Sequence, residues 1–282
     1  PIARSASEPR RSLPRTPWSQ ALAADDPRRM AFEKAYVEIT APIHGRYNSF
    51  RAKRGLDPLP AGQFLETSPW LNLLLAPEHV RRDRTEKLPE ELFVFLEGCV
   101  REEAQFDPPP LPVNEGPIIY LSFGSLGAID TDLIGRMIDV FATFPARFYV
   151  NVGGFLESYQ RVPDNVYLGS WFPQPSIVAQ ADLFIHHGGN NSFCEALYFG
   201  VPSICMPYCW DGHDNGLRTA ETGIGIHLDR KNFSFGSDCG RLDRKGTASC
   251  TNIPNYTLGG QRQFRQSNTP HFRWRQQTSF RT

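Results

Sequence analysis

The sequence predicts an α/β protein built on a doubly wound parallel sheet, and three observations carry that prediction. Five short apolar runs, Ile118–Phe123, Phe148–Val152, Val166–Leu168, Leu183–Ile185 and Ser203–Met206, have the length and near-continuous hydrophobicity of strands buried on both faces. Helix-length stretches at Asp132–Thr143, Pro175–Gln180 and Asn191–Phe199 lie between them, the alternation that brings each strand back parallel to the last. Polar and glycine-bearing segments follow the runs: Ser125, Trp171 and His187 come directly after strands, and Asp211 shortly after another. In open α/β sheets ligands sit beyond the carboxyl ends of the strands, so position and chemistry agree.

Upstream of this pattern the chain reads differently. Residues 1–24 are rich in Pro, Arg and Ser and have no periodicity, which predicts an irregular segment. A helix is expected from Asp26, with Asp25 and Asp26 as caps, Pro27 in the first turn, and Met30, Phe32, Ala35, Tyr36 and Ile39 as an apolar stripe. Leu71–Leu75 reads as a short buried strand, and the polar, Pro-rich residues 101–115 as a linker. The organisation expected is a partial first domain with its linker over 1–110, a second domain over 111–230, and an atypical basic tail over 231–282.

The chain has 282 residues, 40% of them apolar and 21% charged, enough to bury a substantial core. Formal net charge is zero, but from Arg230 onward ten Lys/Arg face two Asp/Glu, leaving twenty against twenty-eight in the remainder. From Lys231 to Thr282 there is no Val, Glu or Met, and Leu242, Ile253 and Leu258 are the only Leu/Ile. A shifted reading frame or mis-spliced exon is the expected origin of that tail, with a disordered basic tail as the alternative. Its charge comes with no nucleic-acid-reading motif, so no nucleic-acid partner is expected. The six cysteines form no CxxC pair and no zinc-type spacing, which predicts reduced thiols in a cytoplasmic protein. No run approaches the ~18 apolar residues of a membrane span. The opening Pro1, without an apolar leader, reads as part of a longer chain.

Four segments carry chemistry. In Ser122–Gly127 (SFGSLG), Gly124 lets backbone N–H groups approach phosphate oxygens and Ser125 adds a hydroxyl, although a plain strand-to-helix turn would look the same. Trp171, opening WFPQ, offers an indole face for a base, and Gln174 an amide for a ribose hydroxyl or base edge. In His186–Leu197 (HHGGNNSFCEAL) the glycines turn the chain from a strand into a helix starting near Asn191 or Ser192. The unpaired N–H groups and positive dipole end there suit a pyrophosphate. His186 reads as a packed core histidine; Asn191 and Ser192 would also serve as ordinary caps. In Pro207–Gly216 (PYCWDGHDNG), Asp211 can accept bonds from sugar hydroxyls, and His213 and Asp214 read as solvated loop residues.

Taken in order from Trp171 to Gly225, this set resembles the donor-sugar signature of the UDP-glycosyltransferases, which include plant, macrolide and sterol glycosyltransferases. Phe50–Leu56 with the Pro58–Pro60 stop is similar to a helix end of bacterial members. The resemblance implies a GT-B fold, two Rossmann-like domains facing across a cleft, of which this chain would hold a partial first domain. It implies phosphate contacts from Gly124, Ser125, His187, Gly189, Asn191 and Ser192. Ribose hydroxyls would fall to Glu195 with Gln174, the base to the Trp171–Phe172 region, and the sugar to Asp211 and Asn215. Gly212 stands where many relatives have Gln, which leaves the sugar open. The family's catalytic His/Asp pair finds no match, and His44 and His79 lie in the wrong context. The function implied is transfer of a sugar from a UDP donor (TDP being the alternative) to a hydroxyl of a lipophilic acceptor. The chain is expected to be monomeric, to need neither cofactor nor metal beyond the donor, and to turn over little alone. A non-catalytic nucleotide-sugar binder and an epimerase or hydrolase of the same fold are the alternatives.

Overall fold

The computed structural model describes residues 27–230 except 76, 78–87, 97–99, 114 and 210. The expectations for residues 1–24 and for the basic tail therefore lie outside the described residues. Six parallel strands form the main sheet: β3 (Ile118–Ser122), β4 (Arg147–Asn151), β5 (Val166–Gly169), β6 (Leu183–His186), β7 (Ser203–Cys205) and β8 (Gly225–His227). Their order is β5-β4-β3-β6-β7-β8. The chain runs outward from β3 to β5, returns to β6, and then runs outward the other way. The reversal falls between β3 and β6, where Ser122 pairs with His186.

Alternation along the strands explains how both faces are covered. On one face Ile119, Leu121, Phe148 and Val150 pack with Leu133, Ile134, Met137 and Phe141 of α3 (Thr131–Phe141). On the other, Tyr120, Tyr149 and Phe184 pack with Ile177 and Val178 of α4 (Gln174–Gln180) and Ala196 of α5 (Asn190–Phe199). A single turn, α2 (Gly124–Gly127), follows β3. All five predicted strands and three predicted helices are present, within a few residues of the expected bounds.

Among the elements that were not expected, two lie at the end of the second domain. Asp211–Glu221 forms α6, so His213 and Asp214 stand in a helix, half-buried and buried, and not in a solvated loop. Its inner face is polar or small (Asn215, Gly216, Thr219), so no apolar stripe announces it. The three-residue β8 was too short to read.

In the first domain, α1 (Pro27–Lys53) closes at Gly55, whose φ of +69° fits the left-handed residue that ends many helices. The predicted stripe is not a buried one: Met30 and Ile39 are exposed among the described residues, Ile39 at 76%. The expected buried strand is β1 (Asn72–Leu74), pairing in parallel with β2 (Phe93–Phe95), and Leu71, Leu73 and Leu75 are exposed. The linker is tied to the second domain: Ser176 Oγ accepts from Phe106 N at 2.8 Å, and Gln180 Nε2 donates to Phe106 O at 2.7 Å. Tyr149 Oη donates to Pro109 O at 2.8 Å.

Candidate functional site

The fold places the motif residues on both sides of the strand reversal. From β3 comes Gly124, whose φ of +68° is one that L side chains rarely adopt. From β6 comes the turn His187-Gly188-Gly189. A Cβ at Gly124 would stand 2.9 Å from His187 Cε1, and one at Gly189 only 2.4 Å from His187 Nε2. The two glycines therefore form the slot in which the His187 ring lies. Burial pushes the imidazole below its ordinary value, opposed by the Ser122 backbone and the Asp211 carboxylate. Burial thus favours the neutral ring, and among the described residues its buried Nδ1 has no hydrogen-bond partner. A neutral ring can still offer one N–H to an oxygen acceptor.

His186 is fully buried and belongs to the core. Its Nδ1 accepts from Gly188 N at 3.0 Å, and burial lowers its pKa to about 3.

Helix α5 begins at Asn190 behind Gly189, which offers no side-chain cap. The Asn190 N–H is taken by Asp211 Oδ2 at 3.0 Å, and its side chain donates to Leu75 O of the first domain. Asn191 and Ser192 follow, with N–H groups that have no acceptor inside the helix by geometry. Asn191 is exposed and Ser192 buried.

One turn on, Glu195 is 2% exposed and sits in a polar network. Gln174 Nε2 donates to Glu195 Oε2 at 2.6 Å and to Ser192 Oγ at 3.1 Å. Arg101 Nη1 donates to Glu195 Oε1 at 2.7 Å, while Arg101 Nε engages Glu103. Burial raises the Glu195 pKa; Gln174 and Arg101 oppose the rise. Sequence reasoning singled out Gln174, Ser192 and Glu195 but missed Arg101, which lies 94 residues from Glu195 in the chain and matches no motif.

Trp171 and Phe172 part ways. The indole, just after β5, is 69% exposed and free to meet a ligand, whereas Phe172 is 2% exposed and packs against Phe106, Tyr120 and Tyr167. The Phe172 ring is thus part of the core, and a Cβ at Gly169 would lie 2.5 Å from it. Asn215 is likewise turned inward. It is fully buried, donates to Gly188 O at 2.7 Å and accepts from Arg218 at 2.8 Å, which makes it a brace of the turn. Asp211 is exposed at the start of α6, and Ser125 is exposed on α2. The backbone at Gly212 is crowded: a Cβ there would stand 2.6 Å from His187 O, so a larger residue needs the turn to move.

A doubly wound sheet with a glycine-lined histidine, a helix start and a buried carboxylate at the strand reversal has its polar groups where open α/β sheets bind ligands. Residues 139–242 match the family described as erythromycin biosynthesis protein CIII-like, C-terminal domain. An uncharacterized UDP-glucosyltransferase YdhE of Bacillus subtilis is 28% identical over 178 residues, covering 62% of this chain and 45% of that protein. The erythronolide mycarosyltransferase of Saccharopolyspora erythraea is 35% identical over 107 residues, covering 38% of this chain and 25% of its own length. The crystal structure of the kitacinnamycin glycotransferase superposes with a TM-score of 0.61 at 22% identity, over 74% of this chain and 56% of that one. The fold is thus the GT-B fold, and over part of its length the chain is similar in sequence to UDP-glycosyltransferases. It spans about half or less of the curated relatives it matches.

Proposed function

We propose that this protein is a glycosyltransferase that takes its sugar from a UDP donor and delivers it to a hydroxyl of a lipophilic small molecule. The observation that carries the reading is the cluster at the start of α5. Gln174, Ser192 and Glu195 are hydrogen-bonded together one helical turn from the His187 slot. In this reading the exposed Trp171 indole stacks on the base. Glu195 accepts from the ribose hydroxyls through charge-assisted bonds worth about 1.5–3 kcal/mol each. The diphosphate takes an N–H from His187 and the backbone N–H groups of Asn191 and Ser192, at the positive end of α5. Gly124, Gly189 and Ser125 border it from the two loops. Asp211 is left as the sugar contact, because Asn215 is spent on the turn.

The donor is the co-substrate, and no cofactor or metal is assigned a role. These residues hold and orient the donor, and the phosphate contacts stabilise the charge that builds on the leaving diphosphate. The acceptor-deprotonating base is assigned to no residue of this chain, so the chain alone is expected to bind donor and to transfer poorly. Calorimetric titration of the full chain with UDP tests the reading. Saturable binding that falls about tenfold or more in Glu195→Ala and His187→Ala is expected. Wild-type protein that does not bind UDP would refute it.

A further inference from the structure

The group that neutralises Glu195 comes from outside the domain that carries it. Arg101 belongs to the segment leading into β3, a segment pinned to α4 at Phe106 and to β4 at Pro109. Its guanidinium gives Nη1 to Glu195 at 2.7 Å and Nε to Glu103, whose side chain is itself mostly buried. Gln174 holds the other Glu195 oxygen at 2.6 Å and is approached by Tyr120 Oη at 3.5 Å. Arg101, Glu103, Gln174 and Tyr120 are thus the polar and titratable groups that face this carboxylate.

Each carboxylate oxygen has two lone-pair sites. Arg101 uses one on Oε1 and Gln174 one on Oε2, which leaves one on each oxygen, the pattern that a vicinal diol fills. Arg101 is also the solvent edge of the network, its side chain 49% exposed against 2% for Glu195. A carboxylate so buried and stripped of its cation takes up a proton more readily and then turns from acceptor to donor.

We propose that Arg101 is a positioning residue of the donor site: the linker delivers a guanidinium that holds the Glu195 carboxylate in the orientation that receives the ribose diol, which makes the linker part of the nucleotide site. This inference rests on the reading that Glu195 takes the ribose.

The test titrates the full chain and its variants with UDP and with 2′,3′-dideoxy-UDP, which lacks the diol. Wild type prefers UDP. In Arg101→Ala, UDP affinity falls about tenfold, whereas dideoxy-UDP affinity stays within about twofold, so the preference collapses. Raising the pH restores part of the lost UDP affinity, as Glu195 gives up its proton. Arg101→Lys keeps the charge and most of the preference, and the retained dideoxy-UDP binding of Arg101→Ala shows that it folds. The inference is overturned if Arg101→Ala keeps the wild-type preference, binds UDP more tightly, or loses both nucleotides equally. A wild type that binds both nucleotides alike removes the ribose reading of Glu195, and this inference with it. A discriminating wild type matched by an equally discriminating Arg101→Ala removes this inference alone.

Discussion

Replacing Gly188 by alanine tests whether the turn between β6 and α5 is held as tightly as the geometry requires. Gly188 has φ +80°, and a Cβ there would stand 2.5 Å from Gly212 O and 2.7 Å from Cys205 Sγ. Gly200, which ends α5, has φ +65° with nothing within 4 Å of a built Cβ. Both substitutions carry the backbone cost of a left-handed residue with a side chain, roughly 1–2 kcal/mol. At Gly188 two further costs follow. Overpacking against backbone and a buried sulfur adds about 1–3 kcal/mol. Opening the turn weakens the buried bond from Asn215 to Gly188 O, about 0.5–1.5 kcal/mol more. Gly188→Ala is therefore expected to lose about 2.5–6.5 kcal/mol and Gly200→Ala about 1–2 kcal/mol. Urea unfolding followed by tryptophan fluorescence on wild type and both variants measures the difference. Losses equal within about 0.5 kcal/mol would refute the claim that the turn is packed against α6.

Three further predictions follow from the same geometry. Trp171→Ala should leave the unfolding midpoint unchanged and weaken UDP binding several-fold, whereas Phe172→Ala should cost about 3–5 kcal/mol of stability; melting curves and titrations on the pair separate these outcomes. Asn215→Ala should destabilise by about 1–3 kcal/mol, since it strands the Gly188 carbonyl, and chemical denaturation reads the loss. The raised Glu195 pKa sets the sign of a pH effect. A carboxyl whose folded-state pKa lies above its unfolded value contributes stability below the unfolded value and loses it as pH rises through the folded one. Glu195→Gln should therefore gain stability relative to wild type as pH rises through that window, while binding UDP worse; melting temperatures across the acid range give the slope.

The core of the second domain was legible because its strands are buried on both faces. Continuous runs such as Ile118–Phe123 have no solvated side to dilute the signal. Helix α3, expected only as a helix-length stretch between two apolar runs, has an apolar stripe from Leu133 to Phe141 and an aspartate cap at Asp130. Helix α6 was not legible, because it docks through Asn215, Gly216 and Thr219, and a polar inner face looks like a loop. The stripe on α1 misled in the other direction: spacing identifies a face but not what covers it. At the site, residue types with one chemical use, Glu195 after a glycine turn or an indole after a strand, could be picked out. Neighbours in sequence could not be told apart. Trp171 and Phe172 point to solvent and to core, and only tertiary packing decides which. Arg101 was invisible because its partner lies 94 residues away, with nothing local to bind the two together.

The central claim is that the space between Trp171, the His187 slot and Glu195 takes a nucleotide diphosphate. A crystal structure of the chain grown with UDP tests this most directly. Diphosphate oxygens are expected within hydrogen-bond distance of His187 and the first N–H groups of α5, with the ribose hydroxyls on Glu195. UDP bound elsewhere, or that space filled by the protein's own side chains at saturating UDP, would contradict the claim.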